Sequence, residues 1–101
     1  MLFESRNERH SDPLIIWIRG EQGCSASADL FSPMGPYTFK VNETTGGIPS
    51  MKHNPHSWNS FSNLLILDAQ IGTGYSFIRG ENKKDVWTME KHVTYFIRFM
   101  K

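Results

Sequence analysis

The 101-residue sequence contains a single cysteine, Cys24, so no disulfide can form within it. One thiol builds no zinc site unless histidines or carboxylates join it. Charge of one sign is lacking as well: eleven Lys plus Arg stand against ten Asp plus Glu. General nucleic-acid binders and polybasic membrane-surface proteins draw on a concentrated positive field, so neither nucleic acid nor membrane is implied as a partner. Long apolar runs are missing too. The longest, Leu14-Ile-Ile-Trp-Ile18, falls far short of the roughly 18 residues that would suggest a membrane span. The opening residues, Met1-Leu-Phe-Glu-Ser-Arg-Asn-Glu-Arg-His10, have no apolar segment behind a basic start. No secretory signal is therefore expected at this end, and the chain as it stands would start in the cytosol. A chain of this size buries only about 60 to 65% of its unfolded surface, which leaves stability marginal without staples or a partner.

What is present points to strands and one clear helix. Pro13-Leu-Ile-Ile-Trp-Ile18 is apolar throughout, rich in β-branched and aromatic residues, and closed by Arg19-Gly20. It predicts a strand buried on both faces, as in a parallel sheet. Leu64-Leu-Ile-Leu67 repeats the pattern and runs into Asp68 and the Gly-rich turn Ile71-Gly-Thr-Gly74. Residues 25–30 favour a short helix that Pro33 and Gly35-Pro36 end. Tyr37-Thr-Phe-Lys-Val41 alternates at period two and reads as a half-exposed strand, and residues 42–54 read as a polar surface loop. Val86, Met89, Val93, Phe96, Ile97 and Met100 recur at helical steps, with Asn82 or Asp85 as caps and Lys91, His92, Arg98 and Lys101 placed to suit the dipole. No repeat, low-complexity tract or linker interrupts the chain. The order of elements predicts an α/β class in one domain, 1–101, with too few helices to cover both faces of an apolar sheet.

The turn Trp17-Ile-Arg-Gly-Glu-Gln-Gly-Cys-Ser-Ala26 follows a strand and enters a helix, a geometry that gathers backbone N–H groups where an anion or oxyanion can sit. Alone it is a common pattern. It stands, however, in a fixed order with Phe3-Glu-Ser-Arg-Asn7, Asp12-Pro-Leu-Ile-Ile-Trp17, Leu30-Phe31, Gly35-Pro-Tyr37, Asn54-Pro55, Ser57-Trp-Asn-Ser60, and Asp68 through Gly72-Thr-Gly-Tyr-Ser76. This series resembles the amino-terminal part of the serine carboxypeptidases over roughly residues 2–76, with 85–99 continuing it as a helix. The resemblance implies a partial α/β-hydrolase fold and a secreted, vacuolar or lysosomal enzyme. Such an enzyme removes the last residue of a peptide substrate through a Ser-His-Asp triad, with no cofactor and no metal. Some plant relatives transfer acyl groups instead.

The nucleophile of such folds sits in a G-x-S-x-G elbow, and these 101 residues contain none: Ser25 has Gly23 before it but Ser27 after, and Ser76 has Gly74 before it but Ile78 after. The expectation is a segment that stops ahead of the catalytic Ser, Asp and His. The family's Asn-Gly-Gly-Pro-Gly-Cys-Ser-Ser turn reads here Arg19-Gly20-Glu21-Gln22-Gly23-Cys24-Ser25-Ala26. By resemblance, Arg19 takes the position that holds the substrate carboxylate, and Gly20 with Glu21 forms the oxyanion-hole-like turn. Arginine can bind a carboxylate bidentately with charge assistance, whereas Glu21 adds a Cβ and a negative charge beside an oxyanion. The acidic partner of that family Asn is replaced by Pro33, and the Asp-Gln-Pro of the substrate-side loop becomes Asp68-Ala69-Gln70. Asp68, Gly72, Thr73, Gly74 and Tyr75 make up that loop, with Asp68 expected to hydrogen-bond to the turn that follows it.

The remaining candidates have plainer readings. Cys24 is an unpaired thiol with no His-Asp pair beside it. His53 and His56 have metal-compatible spacing but no third ligand, which favours a solvated loop. Asn42 opens an N-glycosylation sequon that matters only in the secretory pathway. Trp17, Trp58, Trp87, Tyr95, Phe96 and Phe99 are expected in the core. The reading is a serine carboxypeptidase family segment, catalytically inactive as it stands. Its alternatives are a non-catalytic module pairing through an exposed sheet edge with a full-length relative, and a truncated product without function.

Overall fold

A computed structural model describes residues 1–19, 23–41, 46–77 and 88–101. Among these residues there are five strands: β1 (Leu2–Phe3), β2 (Leu14–Ile18), β3 (Tyr37–Val41), β4 (Pro49–His53) and β5 (Asn63–Leu67). Two 3-10 helices, Ala26–Phe31 and Trp58–Ser60, and one α-helix, α1 (Met89–Phe99), complete the described elements.

β5 is the middle strand of a mixed sheet ordered β1-β5-β2. β2 runs parallel to it, from Leu14 opposite Asn63 to Ile18 opposite Leu67, and β1 runs antiparallel, with Leu2 opposite Leu65. Because successive side chains of a strand point to opposite faces, Leu64 and Ile66 leave β5 on one side. There they are buried to 0% and 1% exposure. Ala26 and Met34 close over them, and Phe3, Ile15, Trp17, Leu30 and Trp58 pack around that cluster. Trp17 and Trp58 meet edge to face, with ring centroids 5.8 Å apart, a favourable aromatic geometry.

Three expectations need correction. β2 is parallel as predicted but is not buried on both faces: Leu14 and Ile18 are exposed and the three residues between them are half-buried. Its only strand neighbour among the described residues is β5, so its other edge lies open. Second, residues 42–54 are not all loop. Pro49–His53 pairs antiparallel with Tyr37–Val41, in register from Val41 opposite Pro49 to Tyr37 opposite His53. Proline fits there because it opens the strand, where no ladder donor is needed of it.

The third correction concerns α1. Thr88 caps it, its Oγ1 accepting from Lys91 N at 3.3 Å, and the expected caps Asn82 and Asp85 lie outside the described residues, as do Val86 and Trp87. With this start, Lys91 falls in the opening turns, as does His92, and only Arg98 lies in the last turn, where the dipole favours a cation. No residue of α1 is buried. Tyr95 and Phe99 are exposed and Phe96 half-buried, so the helical stripe marks an amphipathic helix and not a core layer. The radius of gyration, 16.6 Å, exceeds the roughly 13 Å of a compact 100-residue domain, in keeping with apolar faces left open.

Polar residues hold the chain around the sheet. Arg6 donates from Nη1 to the Asn54 carbonyl at 2.7 Å and from Nη2 to the Pro36 carbonyl at 2.9 Å. Asn54, itself buried, donates to the carbonyls of Pro33 and Gly35, each at 2.9 Å. Asp12 accepts from Ser5 Oγ at 2.6 Å and Glu8 N at 2.9 Å. Chiefly the Ser5 bond, then the Glu8 bond, holds its carboxyl below the usual range.

Candidate functional site

β2 and β5 are parallel, so their carboxyl ends emerge on the same side of the sheet, and the pairing of Ile18 with Leu67 places the next residues, Arg19 and Asp68, at that one edge. Ligands of open α/β sheets bind outside the carboxyl ends of strands. Each end feeds a different kind of loop.

From β2 the chain passes Arg19 and re-enters the described structure at Gly23, whose φ of +79° lies in the left-handed region. The expected oxyanion-like residues Gly20 and Glu21 lie outside the described residues. Ser25 caps the Ala26–Phe31 helix, its Oγ accepting from Ser27 N at 3.1 Å. That helix carries Asp29 back toward β2. One Asp29 oxygen accepts from the Trp17 indole N–H at 2.8 Å, and the other faces Arg19 Nη1 at 3.5 Å. The Arg19 side chain is 31% exposed, against 18% for that of Asp29. Among the described residues, Asp29 stands beside Arg19 as an acid, where Pro33 offers none. Sequence reading missed this because an Asp inside a small-residue helix gives no sign of which strand it will face.

From β5 the chain enters Asp68, whose carboxylate collects three donors. Oδ1 accepts from Ser25 Oγ at 2.8 Å and from Ala26 N at 2.7 Å, and Oδ2 accepts from Tyr75 N at 3.1 Å. Burial pushes the Asp68 pKa up, but the bonds from Tyr75, Ser25 and Ala26 together outweigh it and leave the carboxyl below its usual value. The expected bond to the following turn is present, and the bonds to Ser25 and Ala26 come in addition.

The turn itself is closed by Gly72 N to the Ser76 carbonyl at 2.7 Å and Ser76 N to the Thr73 carbonyl at 2.9 Å. Thr73 is buried and its hydroxyl donates to the Gln70 carbonyl at 2.6 Å. Gly72 and Gly74 have φ of +94° and +51°. A Cβ on Gly74 would also strike Asp68 Oδ2 and Ser25 Oγ, so glycine is required there twice over. Tyr75 is 81% exposed and points away from the core.

A cleft of about 310 Å³ opens beside this turn, lined by Leu67, Asp68, Ile71, Tyr75, Phe77 and α1 residues including Tyr95 and Phe99. Three of the aromatics expected in the core, Tyr95, Phe96 and Phe99, are thus cleft walls. Cys24 is an exposed free thiol, and Asn42 lies outside the described residues. His53 stacks near Tyr37, ring centroids 5.5 Å apart, in β4. Among the described residues no three His, Cys, Asp or Glu side chains are grouped to hold a metal ion.

Comparison with known proteins gives a consistent result. Residues 1–101 match the family model described as serine carboxypeptidase. The chain is 42% identical over 74 residues to carboxypeptidase Y of Schizosaccharomyces pombe, covering 73% of this chain and 7% of that one. It is 40% identical over 79 residues to carboxypeptidase Y homolog A of Leptosphaeria maculans, 78% of this chain and 13% of that one. To serine carboxypeptidase-like 15 of Arabidopsis thaliana it is 37% identical over 76 residues, 75% and 17% of the two chains. Among solved structures, the prohormone-processing carboxypeptidase Kex1(Δ)p of Saccharomyces cerevisiae matches with a TM-score of 0.70 and 25% identity, over 98% of this chain and 21% of that one. The chain thus spans less than a fifth of the length of these curated relatives.

Proposed function

Since the chain belongs to the serine carboxypeptidase family, we propose that it supplies the part of an α/β-hydrolase fold that receives the free carboxyl end of a peptide substrate, and that these 101 residues by themselves do not cleave it. The observation that carries this reading is the placement of Arg19 and Asp68 at one sheet edge, where the carboxyl ends of two parallel strands meet.

Arg19 offers a planar fork of N–H donors that matches a carboxylate. Asp29 approaches Nη1 of that fork at 3.5 Å, and the Trp17 indole fixes Asp29 in turn. Asp68 serves a different purpose: as a carboxylate it would repel a substrate carboxylate, and its lone pairs are turned to Ser25, Ala26 and Tyr75. Cleavage needs a nucleophile activated by a base and an oxyanion site. No G-x-S-x-G elbow occurs in this sequence, and Glu21 sets a negative charge in the turn that resembles the family's oxyanion site.

The test is turnover. The purified 101-residue chain, incubated with amino-blocked dipeptides, is expected to release no more free amino acid than buffer does. Release that a serine-reactive phosphonate suppresses would overturn the proposal.

A further inference from the structure

Asp68 joins three segments through one side chain. Its backbone ends β5, its Oδ1 holds the cap and first N–H of the Ala26–Phe31 helix, and its Oδ2 holds the N–H of Tyr75 in the 72–76 turn. The Asp68 carbonyl also accepts from Ser76 Oγ, and Gly74 lies against both Asp68 Oδ2 and Ser25 Oγ with no room for a Cβ. Segments more than forty residues apart are thereby held through one ionisable group. We propose that Asp68 is a positioning residue that locks the 72–76 turn to the start of the Ala26–Phe31 helix, so that the two walls beside the Arg19 edge are set together by one ionised carboxylate and separate together in acid. The inference concerns the site proposed above, but the coupling is a property of the chain without any peptide.

The chemistry is that of an acceptor-only group. An ionised carboxylate serves three donors across its two oxygens, whereas the protonated acid turns one oxygen into a donor and must abandon a partner there. A folded-state pKa held below the unfolded one, as for Asp68, stabilises the contact above the usual carboxyl value of 3.8 and loses that contribution as pH falls through the lower folded value. The other titratable residues that line the cleft with Asp68 are Tyr75 and Tyr95, and the chain's amino terminus acts on it as a positive charge.

The experiment is an amide ¹⁵N NMR titration of the full chain from neutral pH downward, with hydrogen-exchange protection corrected for intrinsic rates. Ala26 and Tyr75 amides are expected to shift with one shared midpoint below 3.8 and to lose protection together, while the β2 and β5 amides of Ile16 and Leu65 keep theirs. Asp68→Asn, which carries one acceptor oxygen and one amide donor, is expected to give the unprotected state of both loop amides at every pH, with Ile16 and Leu65 unchanged. Ser25→Ala removes a donor from one wall only, and is expected to raise the shared midpoint read at Tyr75 on the other. Separate midpoints, loop amides unaffected by Asp68→Asn, or a Tyr75 midpoint unmoved in Ser25→Ala would overturn the proposal. So would loss of the strand amides along with the loops, or random-coil shifts at neutral pH.

Discussion

Gly35→Ala is expected to cost the fold about 3 kcal/mol or more, at the upper end of what inserting atoms into packed structure does. The added Cβ would strike the backbone carbonyl oxygens of Asp29 and Leu30. Neither can give way cheaply, because both belong to the Ala26–Phe31 helix whose first residue is part of the core. Gly35 cannot retreat either. Its N–H donates to the Ser32 carbonyl at 2.9 Å and its own carbonyl accepts from buried Asn54 at 2.9 Å. Arg6 reaches the neighbouring Pro36 and Asn54 carbonyls, so a shift at Gly35 strains a clasp that ties the amino-terminal segment to the β3–β4 hairpin. Since small domains have only about 5–15 kcal/mol in total, a chain with so small a buried cluster is expected to lose its cooperative urea transition. A variant that unfolds at the parent's urea concentration would mean the junction is looser than described.

Leu64→Ala is expected to cost about 2–5 kcal/mol, the range for emptying a buried leucine site. Leu64 is fully buried in the middle strand, opposite Ile15 of β2 and Phe3 of β1. Its removal leaves a hole where three strands and the first 3-10 helix meet. Leu65, its neighbour in sequence, faces the other side of the sheet and is only half-buried, so Leu65→Ala is the internal control. A falling urea midpoint for the first and a smaller fall for the second checks the pleat assignment. Equal losses would place both residues in equivalent environments and contradict it.

How far the sequence alone led can be read from these same elements. β2, β3 and β5 were legible because an apolar run or a period-two alternation is a local signal, whereas their pairing carries no such signal and β3's partner was read as loop. β1 is two residues long and carries no period at all. β4 reads Pro49-Ser-Met-Lys-His53, with every residue exposed; nothing buried imposes an alternation on it, and its strand character comes from pairing with β3. α1 was visible from its stripe, but periodicity states only that one face is apolar. It is silent on what that face meets, and here Tyr95 and Phe99 line a cleft. The site divides in the same way. Asp68 was placed correctly as an acceptor for the turn after it, a short-range relation, whereas its bonds to Ser25 and Ala26 and the approach of Asp29 to Arg19 span segments that only the tertiary fold brings together.

The central claim is that the Arg19 edge recognises a free carboxyl end. Its most direct measurement is an NMR titration of the ¹⁵N-labelled chain with an amino-blocked dipeptide as the free acid and, separately, as the carboxamide. The account predicts that the Arg19 Nε–H resonance and the Asp68-linked amides respond to the acid and not to the carboxamide. It also predicts that Arg19→Gln weakens acid binding about tenfold or more, since charge-assisted bonds contribute about 1.5–3 kcal/mol and 1.4 kcal/mol is a factor of ten. Equal responses to acid and carboxamide, or acid binding unchanged in Arg19→Gln, would contradict it.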